Sequence, residues 1–250
     1  MIFRDAVDRL QRAFRHELPG PNAQARMAPV PRRPWPSHLN PARIRNAAGL
    51  VLVFPGPPRE RRNAERAEHA ENNQLDSLRS LRSRRFRSSA DDTDSIADAA
   101  HIVLTVRSHS LERHGGQVSL PGGVVDPGET FERAALREAH EEVALTIDEI
   151  EVLGALTPLD IPVSGFRLHP IVAAAPVHPA MSPADGEVDR ILEVDIDELL
   201  TPSCVIRTTR ERDGRTVMAP AFRAGGVEIW GATAMVLAEF LALFGWNPER

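Results

Sequence analysis

The chain has 250 residues, 42% of them hydrophobic, and a formal net charge of −5, which allows a sizeable core and gives no electrostatic reason to expect bulk nucleic acid as a partner. All 30 basic residues are arginine, which excludes a Schiff-base or P-loop lysine, and the absence of tyrosine removes a phenolic general acid. Cys204 stands alone, so neither a disulfide framework nor a cysteine metal site can form, and its expected place is an inert one in the core.

In chain order, residues 1–18 carry Phe3, Val7, Leu10 and Phe14 at helical spacing, interleaved with arginines. A transit peptide would share that spacing, but Asp5, Asp8 and Glu17 stand against it, so the segment is read as a helix docked on the protein. The proline-rich stretch 19–41 predicts an extended connector. Residues 47–54 and 101–107 are short apolar runs with β-branched members and predict buried strands. Between them, residues 55–100 hold nine arginines and nine acids with few large apolar side chains, which predicts a mostly disordered insertion. Its basic run Arg79, Arg82, Arg84, Arg85 and Arg87 is read as a solvated tail balanced by Asp91, Asp92, Asp94 and Asp98, in preference to a phosphate or nucleic-acid contact.

Leu120-Pro121-Gly122-Gly123 reads as a turn. A helix follows, with Thr130 as N-cap and an apolar repeat of Phe131, Ala134, Ala135, Leu136, Ala139 and Val143. Further strands are predicted at 151–157, 168–175 and 188–194, and Asp213-Gly214 marks a hairpin between 205–211 and 216–222. A short strand at 227–230 and an apolar helix at 232–244 complete the pattern. Strands flanked by helices on both sides predict an α/β/α sandwich around a mixed sheet. No apolar run approaches the roughly 20 residues that span a bilayer, and the C-terminal Asn-Pro-Glu-Arg is no peroxisomal signal; the expected setting is cytoplasmic, with no membrane partner.

The chemistry concentrates in Arg137-Glu138-Ala139-His140-Glu141-Glu142. On a helix, Glu138, Glu141 and Glu142 are neighbours, and like charges so placed repel by about 0.2–0.5 kcal/mol per pair. Their arc overlaps Phe131, Ala134 and Ala135, so the carboxylates are expected to face the protein body, with Arg133, Arg137 and His140 on the outer side. A divalent cation with oxygen preference would neutralise such a cluster. An isolated string of this kind is more often a solvated, salt-bridged helix face; the residues upstream change that balance.

Gly123, Glu129 and the run Arg137 to Leu145, at spacings of five and seven intervening residues, resemble the signature box of the Nudix hydrolases. Ala144 stands where the box has glycine. Val103-Leu104-Thr105-Val106-Arg107-Ser108, with Leu111, His114, Gly116, Gln117, Val118 and Leu120 to Gly123, resembles the stretch that precedes the box in the coenzyme A pyrophosphatase branch. Ser164-Gly165-Phe166, His169-Pro170 and 229–234 are similar to that branch too. The resemblance covers roughly 44–54 and 100–245. It implies a hydrolase domain over 44–245 interrupted by the insertion, preceded by the helix and connector at 1–43 and followed by a tail at 246–250.

The resemblance also implies roles. Glu138 and Glu142 become the expected Mg²⁺ or Mn²⁺ ligands, with Glu141 as a third ligand or a water-orienting base. Arg137 and Glu129 would hold the carboxylates in register, and Gly122 and Gly123 would let backbone approach the metal or a phosphate. Arg107 and His114 are candidates for the diphosphate or the 3′-phosphate of a coenzyme A substrate, although a structural histidine is an equal reading of His114. Glu187 is either a loop base or a surface carboxylate, and Trp230 either stacks on adenine or fills core. The implied reaction is hydrolysis of coenzyme A or acyl-coenzyme A to 3′,5′-ADP and (acyl-)4′-phosphopantetheine. Other nucleoside diphosphate derivatives and a silent nucleotide-binding module are the alternatives.

Overall fold

The computed structural model describes residues 1–37, 39–56, 99–108, 116–184, 186–212 and 215–248. The interior of the insertion (57–98), His114 and the Asp213-Gly214 turn lie outside the described residues.

Strand β1 (Arg45–Pro55) organises the molecule. Alternate side chains of a strand point to opposite faces, and β1 uses both: Ala48, Leu50, Leu52 and Phe54 enter one core, Val51 and Val53 the other. It pairs antiparallel with β2 (Ala100–Arg107) and parallel with β7 (Phe166–Ala174). Around these three, β3 (Val118–Ser119) and β8 (Val188–Asp195) flank β2, while β5 (Glu151–Ala155) and β6 (Leu159–Ile161) pair with β7. With β4 (Gly122–Val124) on β1, the mixed sheet has eight strands among the described residues. Helix α3 (Phe131–Val143) packs its alanines on the first face. The second face carries α1 (Phe3–Ala13) and the apolar helix α5 (Gly231–Ala242). This is the expected α/β/α sandwich. A separate three-stranded sheet, β9 (Val205–Arg212), β10 (Arg215–Ala224) and β11 (Val227–Trp230), leads into α5. A short α4 (Ile196–Leu200), capped by the Asp195 carboxylate, precedes it.

Two expectations are corrected. The stretch 19–41 is not extended throughout: α2 (Gly20–Ala25) begins within it. Pro21 sits in the first turn, where an N–H has no intrahelical partner to lose, so it opens a helix that it would break from inside. The buried Glu239 carboxylate on α5 then holds α2 in place, accepting from Gly20 N at 3.2 Å, Gln24 Nε2 at 2.8 Å and Thr157 N at 3.2 Å. Nor is Gly122-Gly123 a turn. It is strand β4, with Gly122 opposite Gly49 and Gly123 opposite Ala48. A Cβ on Gly122 would overlap the Ala48 carbonyl and Gly49 Cα, so glycine serves close backbone approach here.

The amphipathic N-terminal segment docks as a helix: Ala6 and Leu10 are buried, and the Phe14 ring lies where a side chain on Gly154 would stand. Cys204 is buried with its thiol donating to Leu199 O at 3.3 Å, and burial pushes its pKa up to about 11. Ala144, the C-cap of α3, has φ 52° in the left-handed region. An L-residue there costs roughly 1–2 kcal/mol, so Ala144→Gly is expected to stabilise the fold by about 1 kcal/mol, the flexibility of an unfolded glycine offsetting the remainder. A lower urea midpoint for the variant would contradict the assigned strain.

Candidate active site

Strand β4 and helix α3 bring the acidic residues together. Along α3, Glu138 and Glu142 are about 40° apart and directly over the alanine stripe, whereas Glu141 is about 60° to the other side of Glu138. The observed exposures follow that wheel. Glu142 is buried, the Glu138 side chain is 17% exposed and that of Glu141 is 53% exposed. Only two of the three carboxylates therefore face inward, which corrects the expected convergence of all three. Both press on the glycine pair of β4: Gly122 N donates to Glu142 Oε2 at 3.1 Å, and a Cβ on Gly123 would overlap the Glu138 carboxylate.

Arg137 is not an outward charge. Its planar guanidinium has five N–H donors, and five bonds use them. Nε and Nη2 grip Glu129 at 3.1 and 3.0 Å, Nη1 reaches Glu138 at 2.9 Å and Glu141 at 3.0 Å, and Nη2 also donates to Val124 O at 3.0 Å. One side chain thus ties the loop after β4 to two successive turns of α3. The electrostatics are correspondingly split. The Arg137 hydrogen bonds hold the Glu129 carboxyl below its ordinary pKa, while burial raises that of Glu138 against the opposing pull of Arg137. The bond to Glu129 is the largest of the effects that raise the pKa of Arg137 itself.

Among the described residues no group of three or more His, Cys, Asp or Glu side chains is placed to hold a metal ion. Arg137, bonded to Glu138 and Glu141, turns the latter away from Glu142. The donor set of Glu138 and Glu142 nonetheless suits Mg²⁺, which binds through one or two carboxylates and completes its shell with water and substrate phosphates.

The other candidates sit apart from this cluster. Arg107, at the end of β2, donates to Glu187 at 3.0 Å, so Glu187, half-exposed, is the partner of Arg107. Trp230 ends β11 half-buried, with the Arg210 guanidinium 5.3 Å from its ring centroid. One contributor had no signal in the sequence. The Val124 carbonyl, a backbone group, completes the Arg137 network. His169 stacks on Phe131 with ring centroids 3.6 Å apart and contacts Asn46 at 3.1 Å; burial lowers its pKa.

The NUDIX domain family model matches residues 95–217. The uncharacterized Nudix hydrolase NudL of Enterobacter sp. (strain 638) is 33% identical over 148 residues, covering 59% of this chain and 77% of that protein. NudL of Pectobacterium atrosepticum is 36% identical over 150 residues with the same coverage. A solved structure, the Nudix hydrolase RenU from M. smegmatis, is 22% identical with a TM-score of 0.41, covering 62% of this chain and 73% of that one. The chain belongs to the Nudix hydrolase family, whose members act on nucleoside diphosphate derivatives with divalent cations. No helix among the described residues is long and apolar enough to cross a membrane.

Proposed function

We propose that the chain hydrolyses the diphosphate of coenzyme A or acyl-coenzyme A, releasing 3′,5′-ADP and (acyl-)4′-phosphopantetheine. The observation that carries the diphosphate chemistry is the pair of inward carboxylates, Glu138 and Glu142, held against the glycines of β4. They would hold Mg²⁺ or Mn²⁺. The bound cation supplies charge neutralisation of the diphosphate and an activated water.

The chain's own residues do the positioning. Gly122 N fixes the Glu142 carboxylate, and Arg137 fixes Glu138 from the other side while favouring the ionised form of Glu129 and bonding Glu141. Glu141, exposed and bonded to Arg137, fits a water-orienting role better than that of a third ligand. The catalytic carboxylates belong to the domain at 44–245, to whose core the tail at 246–250 contributes the buried Trp246.

The substrate reading rests on the residues from Val103 to Gly123, in which Arg107 and His114 are the candidates for phosphate contact. Family membership alone covers ADP-ribose, NADH and dinucleoside polyphosphates equally well. A side-by-side assay with Mg²⁺ and Mn²⁺ decides among them: coenzyme A and its acyl derivatives are expected to give the highest kcat/KM. A preference for ADP-ribose, NADH or a dinucleoside polyphosphate would overturn the substrate and leave the diphosphate chemistry standing. Tight nucleotide binding without turnover on any of them would indicate a silent binding module.

A further inference from the structure

A cavity of about 1150 Å³ lies on the α5 side of the large sheet. Its wall includes the ends of β2 and β3, strand β6, the β9–β10 hairpin and the junction of β11 with α5. The remaining wall comes from the N-terminal arm between Pro29 and Pro34, far away in sequence. The size leaves room for a nucleotide, being just above the usual range of about 300–1,000 Å³ for small-molecule pockets.

The arm is fixed at two points ahead of Arg32. Upstream, α2 is held to α5 by Glu239. At Val30 the arm joins the edge of the hairpin by two backbone bonds, Val30 N to Met218 O at 2.8 Å and Met218 N to Val30 O at 3.1 Å. Arg32 and Arg33 follow directly and are exposed on the wall. Together with Arg107 and Arg210 they set four guanidiniums on the cavity against two carboxylates, Asp160 and Glu211. Asp160 is engaged by Arg167 at 2.7 Å and lies within electrostatic reach of Arg32, while Arg107 is held by Glu187 and Arg210 by Glu228.

The cavity and the inward carboxylates, which α3 holds on the other face of the sheet, are joined by one short segment. Ser119 lines the cavity, and Gly122, which holds Glu142, is three residues further along, a span of at most about 11 Å. A substrate that spans this segment would place its nucleotide half in the cavity and its diphosphate at Glu138 and Glu142.

We propose that the proline-rich arm is a specificity wall of the substrate site, in which Arg32 and Arg33 bind an anionic group on the nucleotide half of the substrate, separate from the diphosphate. This rests on the coenzyme A reading, in which that group is the 3′-phosphate. Arginine forks suit a phosphate in a way a point charge does not, and the arm brings two of them to one place.

The test is the R32A/R33A double variant of the full chain with Mg²⁺. Both residues are exposed, so the fold is expected to persist. Losing charge-assisted bonds to one phosphate is expected to raise KM for coenzyme A about tenfold. In the same variant kcat should stay within about twofold, as the machinery at Glu138 and Glu142 is untouched, and KM for dephospho-coenzyme A should not move. Equal changes for the two substrates, or no change for either, would overturn the proposal. If the wild type hydrolyses neither, the substrate reading has failed, and calorimetric titration with adenosine 3′,5′-bisphosphate and AMP judges the arm alone. A preference for the bisphosphate that R32A/R33A abolishes supports the wall; equal binding of the two nucleotides by the wild type refutes it.

Discussion

Glu142→Gln is expected to lower the rate of diphosphate hydrolysis by about 10³-fold, in the range of losing a group that acts on the reacting water or its cation. The variant should remain folded. Glutamine has the shape of glutamate, and its amide oxygen can still accept from Gly122 N, so the strand-to-helix contact survives while the buried charge is lost. Circular dichroism and a thermal midpoint near that of the wild type would show that activity, not folding, was removed. Glu141→Gln is the internal comparison. That side chain is half-exposed and bonded to Arg137, so its loss should cost about tenfold, as expected for a group that orients rather than ligates. Equal losses at the two positions would mean that Glu141 swings inward in the working enzyme. A Glu142→Gln variant with near wild-type turnover would remove Glu142 from the site altogether.

The contrast between these glutamates shows what a sequence pattern conveys. Spacing of three and four placed all of them on one arc of a helix, and the helix is there from Phe131 to Val143. An arc has two edges, however. Whether Glu141 joins the cluster or solvent depends on Arg137, whose four partners include a backbone carbonyl on β4 that no side-chain pattern records. The same division runs through the fold. The β1 alternation and the apolar α5 were legible because a single segment carries the period. Helix α2, the Val30 to Met218 bridge and the Glu239 anchor were not, because each exists only once residues nearly two hundred positions apart have met. Gly122-Gly123 was misread for a related reason: glycine marks both turns and close approaches, and only the neighbouring strand tells them apart. Ala144 shows the opposite case, since the helix keeps its left-handed cap without the glycine that normally provides it.

Arg137→Ala is expected to reduce kcat by about 10²-fold, because Arg137 positions the inward Glu138 and displacing a positioned group by an ångström costs that much. Arg137→Lys should recover little of it. Lysine restores the charge but offers a flexible point donor in place of a fork that grips Glu129 through two nitrogens and reaches Glu138 and Glu141 as well. Recovery to within a few fold by lysine would show that charge alone suffices.

The pH dependence of stability gives a second, independent reading of the same side chain. Arg137 depresses the pKa of Glu129, so that ion pair contributes stability above the ordinary carboxylate range and loses it as pH falls through the lowered value. Glu138 has the opposite sign. Burial raises its pKa, so its environment favours the protonated form, and stability is lost as pH rises through the raised value; Arg137 limits that loss. Removing Arg137 abolishes the first contribution and enlarges the second penalty, and both effects act at neutral pH. The denaturation midpoint of Arg137→Ala should therefore lie furthest below that of the wild type near pH 7. The gap should begin to close near pH 4, where an ordinary carboxyl protonates, and vanish as pH falls through the lowered value of Glu129. A gap that stays constant across that range would mean that Arg137 acts by packing its stem and not by holding the carboxylates.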